Sequence, residues 1–415
     1  MVMKTTQTEI AQRSQQKLYF DHKDMDYYFA WIVGRHIYEG SKVEECFDVA
    51  SRIMDGDLES WQQEWVKLAQ HLEKQGSQAL DRGNIESAKE FYLRACTYYR
   101  SPLFMMNPQN PAFSDNWQKM KFCFHKAVSL FDPPIKSIRI PFQGKLLPGY
   151  FWKVDEVNAA PVGFRRENVD ESKQKHPILI VIGGLETFAE DCYFMTGLTG
   201  TKRGYNVMTV DLPGQGVNPY SEMFLGARMG NSVKAVVDYA LTRPEIDPNY
   251  LALFGFSWGG HMVFQAVQDE PRIKALIANP AMPDVFRAAL AQQGNHGIGD
   301  PISQKVFEQI AWRMGLKINL NPKDIFRRIA KACSYLLFGK VKLSKIKCPT
   351  LCIAGEGEAQ ITLDITRECY EQLPNPLKKL VIFTHEEGGE AHCQIDNLAL
   401  PNQVMFDWLD RVFSA

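Results

Sequence analysis

Tyr250-Leu251-Ala252-Leu253-Phe254-Gly255-Phe256-Ser257-Trp258-Gly259-Gly260 is the stretch whose reading decides the fold. An apolar run ends in Gly-x-Ser-x-Gly and passes into a helix-like segment, His261 to Gln268. Strand, sharp turn carrying a serine, then helix is the nucleophile-elbow pattern. Gly255 and Gly259 flank Ser257 because a tight strand-to-helix turn leaves no room for side chains, and Gly260 lets the helix pack close to the sheet. Any Gly-rich turn can contain a serine, so the reading depends on what the rest of the chain supplies.

Outward from this turn, β-runs and helical segments alternate. Ile178 to Ile182, Asn206 to Val210, Leu251 to Phe254 and Lys274 to Ala278 read as strands. A helix is expected from about Glu190, and another over Ser232 to Leu241 with Val233, Val236, Val237 and Ala240 on one face. The alternation resumes with Pro349 to Ala354, a helix near Ile361 to Leu373, a strand Lys379 to Phe383 and a closing helix Asn402 to Phe413. Such alternation specifies an α/β fold, a doubly wound, mostly parallel sheet with crossover helices. It is entered through a hairpin, Ile135 to Pro141 and Leu146 to Val154, turning at Gln143-Gly144. Asp155 to Lys175 is polar and charged, a surface loop at the hairpin's exit.

Before Asp132-Pro133-Pro134 the pattern is different. From about Leu18 to Phe131, apolar and aromatic residues recur at helical spacing, as in Tyr27, Trp31, Ile32 and Trp61, Trp65, Leu68. Asn84 to Ala95 looks like half of a TPR-type hairpin, but no second copy follows, so a packed helical domain is expected instead of a solenoid. The division is a helical cap over residues 1–132 and a catalytic domain over 133–415, with a helical insertion at about 284–346. In that insertion Phe326 to Lys347 carries seven basic residues and no acidic one, read as the solvated surface of a lid. Phe326, Ile329, Ala330, Cys333 and Leu337 trace its apolar stripe.

Composition excludes several classes. The 415 residues are 45% hydrophobic and 23% charged, ordinary for a globular protein. A formal net charge of −1 gives no reason to expect nucleic acid or an anionic membrane as partner. The polar N-terminus, Met1 to Gln16, lacks a signal-peptide core. No apolar run approaches the roughly 18 residues of a membrane span. Nine scattered cysteines without CxxC spacing are read as reduced thiols, and a cytoplasmic location is expected. No Walker loop, dinucleotide fingerprint or HExxH motif is present, so no cofactor or metal site is expected.

A serine hydroxyl needs a neighbouring base, and the base a third group that orients it and stabilises its charged form. In a doubly wound sheet these groups sit on loops at the carboxyl ends of the strands. After the last strand lie His385 and His392. His392 ends a glycine-containing acidic loop, Glu386 to Ala391, that can fold back over the turn, and it is the expected base. After the preceding strand, Gly355-Glu356-Gly357-Glu358 offers the acid; Glu358, three residues past the glycine, is expected, with Glu356 and Asp284 as alternates. Two backbone donors should hold an oxyanion: the N–H of Trp258 and that of Leu185 in Gly183-Gly184-Leu185-Glu186. Glu186 is a further candidate for substrate contact. Asp211-Leu212-Pro213-Gly214-Gln215-Gly216 is read as a structural turn.

The order Ser257, Glu358, His392, with Gly-Gly-Leu-Glu before it and Asp-Leu-Pro-Gly-Gln-Gly between, resembles the α/β-hydrolases. The helical N-terminal third, the Gly-Gly-Leu-Glu loop and Ala391-His392-Cys393-Gln394 resemble one group in particular: the fungal polyketide-shortening hydrolases, the bacterial dihydroxypseudooxynicotine hydrolase and the FrsA-like proteins. The resemblance implies an α/β-hydrolase fold with an N-terminal helical cap over a cofactor-free serine site that cleaves carbon–carbon bonds next to ketones, or esters and related acyl bonds. Glutamate replaces the group's usual aspartate as the acid. Acyl transfer or cyclisation from the same acyl-enzyme is the alternative activity, and a non-catalytic binding protein on this scaffold is the third. The expected partner is a small apolar or aromatic, polyketide-like molecule, and the helical domain could serve a homodimer interface.

Overall fold

The computed structural model describes residues 13–154, 175–226, 229–285, 287–288, 300–318, 320–336 and 341–414. The loop expected over 155–175 lies, up to residue 174, outside the described residues. So do Leu337 and the side chains of Phe326, Ala330 and Cys333.

The N-terminal third is helical: α1 Lys23–Gly34, α2 Val43–Ala50, α3 Leu58–Asp81, α4 Ile85–Arg100 and α5 Pro111–Ser129. Trp31, Trp61 and Trp65 are core, the last two fully buried. The TPR-like segment is the start of α4, which pairs with α3 across a turn at Gly83 and then packs on α5. One hairpin and a third helix close the hydrophobic face, so no further repeat is needed.

Eight strands follow in the spatial order β1-β2-β4-β3-β5-β6-β7-β8. β1 (Lys136–Phe142) and β2 (Lys145–Trp152) form the expected hairpin, and the turn residues Gln143 and Gly144 both have positive φ, as a right-twisted two-residue hairpin demands. β2 then runs antiparallel to β4 (Asn206–Val210). From there β3 (His176–Ile182), β5 (Ile246–Phe256), β6 (Ala275–Asn279), β7 (Thr350–Gly355) and β8 (Lys379–Phe383) continue the sheet in parallel. β3 is buried at every position, the continuous burial of a strand covered on both faces. β5 starts five residues before its expected beginning, because Asp247-Pro248-Asn249 continues the strand where a turn would have been read.

Helices cover the sheet: α6 (Leu198–Lys202, preceded by a π-turn over Tyr193–Gly197), α7 (Met229–Leu241), α8 (Trp258–Val267), α11 (Gln360–Gln372) and α12 (Ala399–Ser414). Val233, Val236, Val237 and Ala240 are the buried stripe of α7. Met405, Trp408 and Leu409 are buried on α12. The insertion carries α9 (Pro301–Arg313) and α10 (Pro322–Leu336). On α10 Ile325, Ile329 and Ala332 are buried while Arg327, Arg328 and Lys331 face outward, so the basic residues occupy the solvent side of an amphipathic helix. Among the described residues no helix is long and apolar enough to cross a membrane.

Candidate active site

β3, β5, β6, β7 and β8 all end on one edge of the sheet, where loops can converge. Ser257 sits between β5 and α8 with φ 54° and ψ −128°, a conformation an L-residue adopts only when its surroundings enforce it. The neighbours do enforce it. A Cβ on Gly255 would lie 2.2 Å from the Gly259 carbonyl oxygen, and one on Gly259 would lie 2.4 Å from that of Ile182. The Ser257 N–H donates to the Asn279 carbonyl at the end of β6, 2.7 Å away.

The structure brings Ser257, His392 and Glu358 together. His392 Nε2 lies 2.9 Å from Ser257 Oγ, and His392 Nδ1 lies 2.6 Å from Glu358 Oε1. Glu358 is 5% exposed. Burial lowers the imidazole's pKa, but the charges and hydrogen bonds of Cys393 and Glu358 outweigh it and raise the group above its ordinary value.

The alternates lie elsewhere. Glu356 Oε1 accepts the N–H of His385, 2.5 Å away, and so ties down the turn after β8. The His385 ring is exposed and meets Gln16. Asp284 Oδ1 accepts the N–H of Arg287 at 3.0 Å and opens a helical turn. Glu186 accepts the Tyr28 hydroxyl at 3.1 and 3.2 Å.

The Gly183–Glu186 loop runs beside the serine: a Cβ on Gly184 would lie 2.8 Å from Ser257 Cβ. The carbonyls of Gly183, Gly184 and Glu186 are held away. Gln215 Nε2 donates to the Gly183 and Gly184 carbonyls at 2.5 and 2.8 Å, and Thr187 Oγ1 donates to Gly184 at 2.9 Å. The Glu186 carbonyl takes Arg100 Nη2 at 3.0 Å and Arg313 Nη2 at 3.2 Å. With its oxygens so fixed, the loop has a set orientation from which backbone N–H groups can serve an anion. Trp258, the first residue of α8, has a backbone N–H with no acceptor within its helix.

Several of these supports were not legible in the sequence. Gln215 had a hint, since it lies in the Asp211–Gly216 turn after the neighbouring strand; the turn is structural, and its glutamine buttresses the Gly-Gly loop. Arg100 and Arg313 carried no signal. Nor did the segment before α1, where the Arg13 carbonyl accepts the N–H of His392 at 2.7 Å. Glu390 Oε1 binds that segment with three hydrogen bonds, from Ser14 Oγ at 2.7 Å, Gln15 N at 2.8 Å and Gln16 N at 3.0 Å. Asn279 joins the two halves of the site, since its Nδ2 donates to Gln394 Oε1 at 2.7 Å while its carbonyl holds Ser257. Cys393 and Gln394 have φ of 60° and 51°, so the histidine loop, like the elbow, holds strained backbone. Among the described residues no three His, Cys, Asp or Glu side chains gather so as to hold a metal ion.

No protein-family model matches the chain. It is 29% identical over 422 residues to the 20-hydroxy-prefusarin hydrolase FUS2 of Gibberella moniliformis, covering 93% of this chain and 96% of that protein. It is 26% identical to the alpha/beta hydrolase psoB of Aspergillus fumigatus, over 94% and 93% of the two chains. Among solved structures it superposes on the 2,6-dihydroxy-pseudo-oxynicotine hydrolase with a TM-score of 0.70 at 21% identity, covering 92% of this chain and 95% of that one. The mixed eight-stranded sheet, the helical N-terminal third and relatives matched over nearly their whole length lead to one assignment: the chain is a hydrolase of the α/β-hydrolase superfamily.

Proposed function

We propose that the chain is a serine hydrolase in which Ser257 is the nucleophile, His392 the general base and Glu358 the acid. Its substrate is an ester or other acyl compound, or a ketone of the 1,3-dicarbonyl, polyketide type cleaved at a carbon–carbon bond. The observation that carries this reading is the continuous relay from Glu358 through His392 to Ser257, 2.6 and 2.9 Å long, at the carboxyl edge of the sheet. The name of the FUS2 relative, a hydrolase of 20-hydroxy-prefusarin, agrees with a small-molecule substrate.

In this reading the reaction has two stages. Ser257 Oγ bonds to the carbonyl carbon as His392 Nε2 takes its proton, and the carbonyl π electrons move to oxygen, where the N–H groups of Leu185 and Trp258 receive the charge. Collapse re-forms the carbonyl and breaks the bond to the leaving group. In an ester the departing oxygen takes the proton from His392. In a 1,3-dicarbonyl the electron pair of the carbon–carbon bond leaves as an enolate, which takes that proton at carbon. Water then gives a proton to His392 and adds to the acyl-enzyme; the carboxylic acid departs and Ser257 regains its proton.

Residues 1–132 act in this reading as a cap and 133–415 as the catalytic domain. The Tyr27 ring of α1, 6.3 Å from that of His392, supports this, because it brings the helical third to the reacting histidine. The test is labelling by a fluorophosphonate, which reacts with an activated serine. Wild-type protein should label and Ser257→Ala should not; equal labelling, or none in either, overturns the reading.

A further inference from the structure

Asn279 closes β6 and pairs with Phe256, the residue before Ser257, in the parallel register of β5 and β6. Its backbone carbonyl accepts the Ser257 N–H at 2.7 Å and also receives the Cys393 thiol, with Sγ 3.6 Å away. Its side-chain Nδ2 donates to Gln394 Oε1 at 2.7 Å. One residue thus bonds to the backbone of the serine and to both residues that follow His392. Asn279 is 1% exposed and Gln394 0%, so the bond between their amides is made out of water, where it is electrostatically stronger.

The turn that carries His392 needs such a tie. Cys393 and Gln394 have φ of 60° and 51°, a left-handed pair that residues with side chains hold only when their surroundings enforce it. Other bonds of the turn lead away from the elbow. The Glu390 carbonyl accepts the N–H of Gly357, just past β7, at 3.0 Å, and the His392 N–H donates to the Arg13 carbonyl at 2.7 Å. Those bonds set where the turn lies against its neighbours; the Asn279 bonds set where it lies against Ser257. That placement governs the 2.9 Å between His392 Nε2 and Ser257 Oγ. Misplacing reacting groups by about 1 Å costs on the order of a hundredfold in rate.

We propose that Asn279 is a positioning residue of the reaction: through Gln394 it fixes His392 at proton-transfer distance from Ser257. The inference rests on the serine-hydrolase reading. Asn279 takes no part in the proton transfer; its side chain acts through Gln394 and the turn. Nucleophile and base therefore share one reference point, the end of β6.

The experiment compares wild-type protein with Asn279→Ala, which keeps the carbonyl for Ser257 and removes only the side-chain bond, with Gln394→Met, with the double variant, and with Gln394→Glu, which keeps an acceptor oxygen for Asn279. The readouts are the second-order rate of fluorophosphonate labelling, taken on the plateau of each pH profile, and the number of sites labelled at completion. Asn279→Ala and Gln394→Met should each label about tenfold to a hundredfold more slowly, with the full number of sites. Their KM for a p-nitrophenyl ester should stay within about threefold of wild type. The double variant should label no more slowly than the slower single one, because both changes remove the same bond. Gln394→Glu should stay within about threefold of the wild-type rate. Wild-type rates in both single variants, multiplied losses in the double variant, or a loss confined to the number of labelled sites overturns the proposal; the last marks a role in folding alone. If Asn279→Ala does not fold, Gln394→Met and Gln394→Glu decide the matter, and equal rates in the two overturn it. Wild-type labelling that is absent in Ser257→Ala, together with any of these contrary results, leaves the serine-hydrolase reading standing while the inference about Asn279 fails; no labelling of wild-type protein overturns both.

Discussion

Replacing Glu358 by glutamine keeps the size of the side chain and removes the charge. In the structure the carboxylate lies 2.6 Å from His392 Nδ1, and the two side chains are 4% and 14% exposed. Glu358 is buried before and during the reaction, so the imidazolium formed in the transition state meets an anion already in place. With charge centres about 4 Å apart and an effective dielectric constant of ~20, the attraction is about 4 kcal/mol. At about 1.4 kcal/mol per tenfold, that predicts a fall of roughly a thousandfold in kcat for Glu358→Gln. The pH dependence carries a second signature. Neutral imidazole is the active form in this reading, and burial lowers the His392 pKa while Cys393 and Glu358 together raise it. Removing the carboxylate takes away part of that opposition to burial, so the acid limb of the rate profile should move to lower pH even as the plateau drops. Glu356→Gln, two residues away, should leave the plateau within about threefold, because Glu356 holds the His385 turn and not His392. The assay is steady-state hydrolysis of a p-nitrophenyl ester across pH 5 to 9. A kcat for Glu358→Gln within tenfold of wild type, or an equal loss in Glu356→Gln, would falsify the assignment of the acid.

Gly184→Ala should lower kcat sharply while changing the melting temperature little: the new Cβ would stand 2.8 Å from Ser257 Cβ and 3.2 Å from its Oγ, and unaltered turnover would mean that Ser257 is not the reacting group. Asp191→Ala should cost about 3–5 kcal/mol in urea unfolding, because it strands Arg35 and Arg100, which are 1% exposed and bind its two oxygens at 2.5 and 3.0 Å. Burial would raise the Asp191 pKa, but the two guanidinium groups hold it below the ordinary carboxylate value; its stabilisation is thus fully present above about pH 4 and is lost as pH falls further, a dependence that Asp191→Ala should flatten. Glu390→Ala should free the Arg13–Gln16 segment, seen as early proteolytic cleavage before Lys23 together with a reduced kcat; protection equal to wild type would show that the segment is held by other contacts.

The parts of the site that could be read from the chain are those with a local pattern. Gly255, Ser257 and Gly259 are legible because a strained turn demands small neighbours at fixed spacing. Glu358 and His392 are legible because each follows a recognisable apolar strand. Burial of charge is a different matter. Arg35, Arg100, Asp191 and Arg313 sit in helical or polar stretches where a charged residue ordinarily faces water, and their partners are 91 to 156 residues distant for the Asp191 pairs. Arg13 was hidden for the same reason, inside a polar N-terminus with no periodicity. The early start of β5 was hidden by Asp247-Pro248-Asn249, whose composition suits a turn as well as an extended segment.

The carbonyl of Glu186 receives one arginine from α4 and one from α9. A single oxygen thus registers two segments that differ in origin along the chain, and neither can be exchanged as an independent module. Grafting the N-terminal helices of a relative onto this sheet would remove Arg100 from the loop beside Ser257. A chimera that keeps residue 100 as arginine, with its Asp191 partner, should retain turnover, whereas one that honours the helical boundary alone should fold and work poorly.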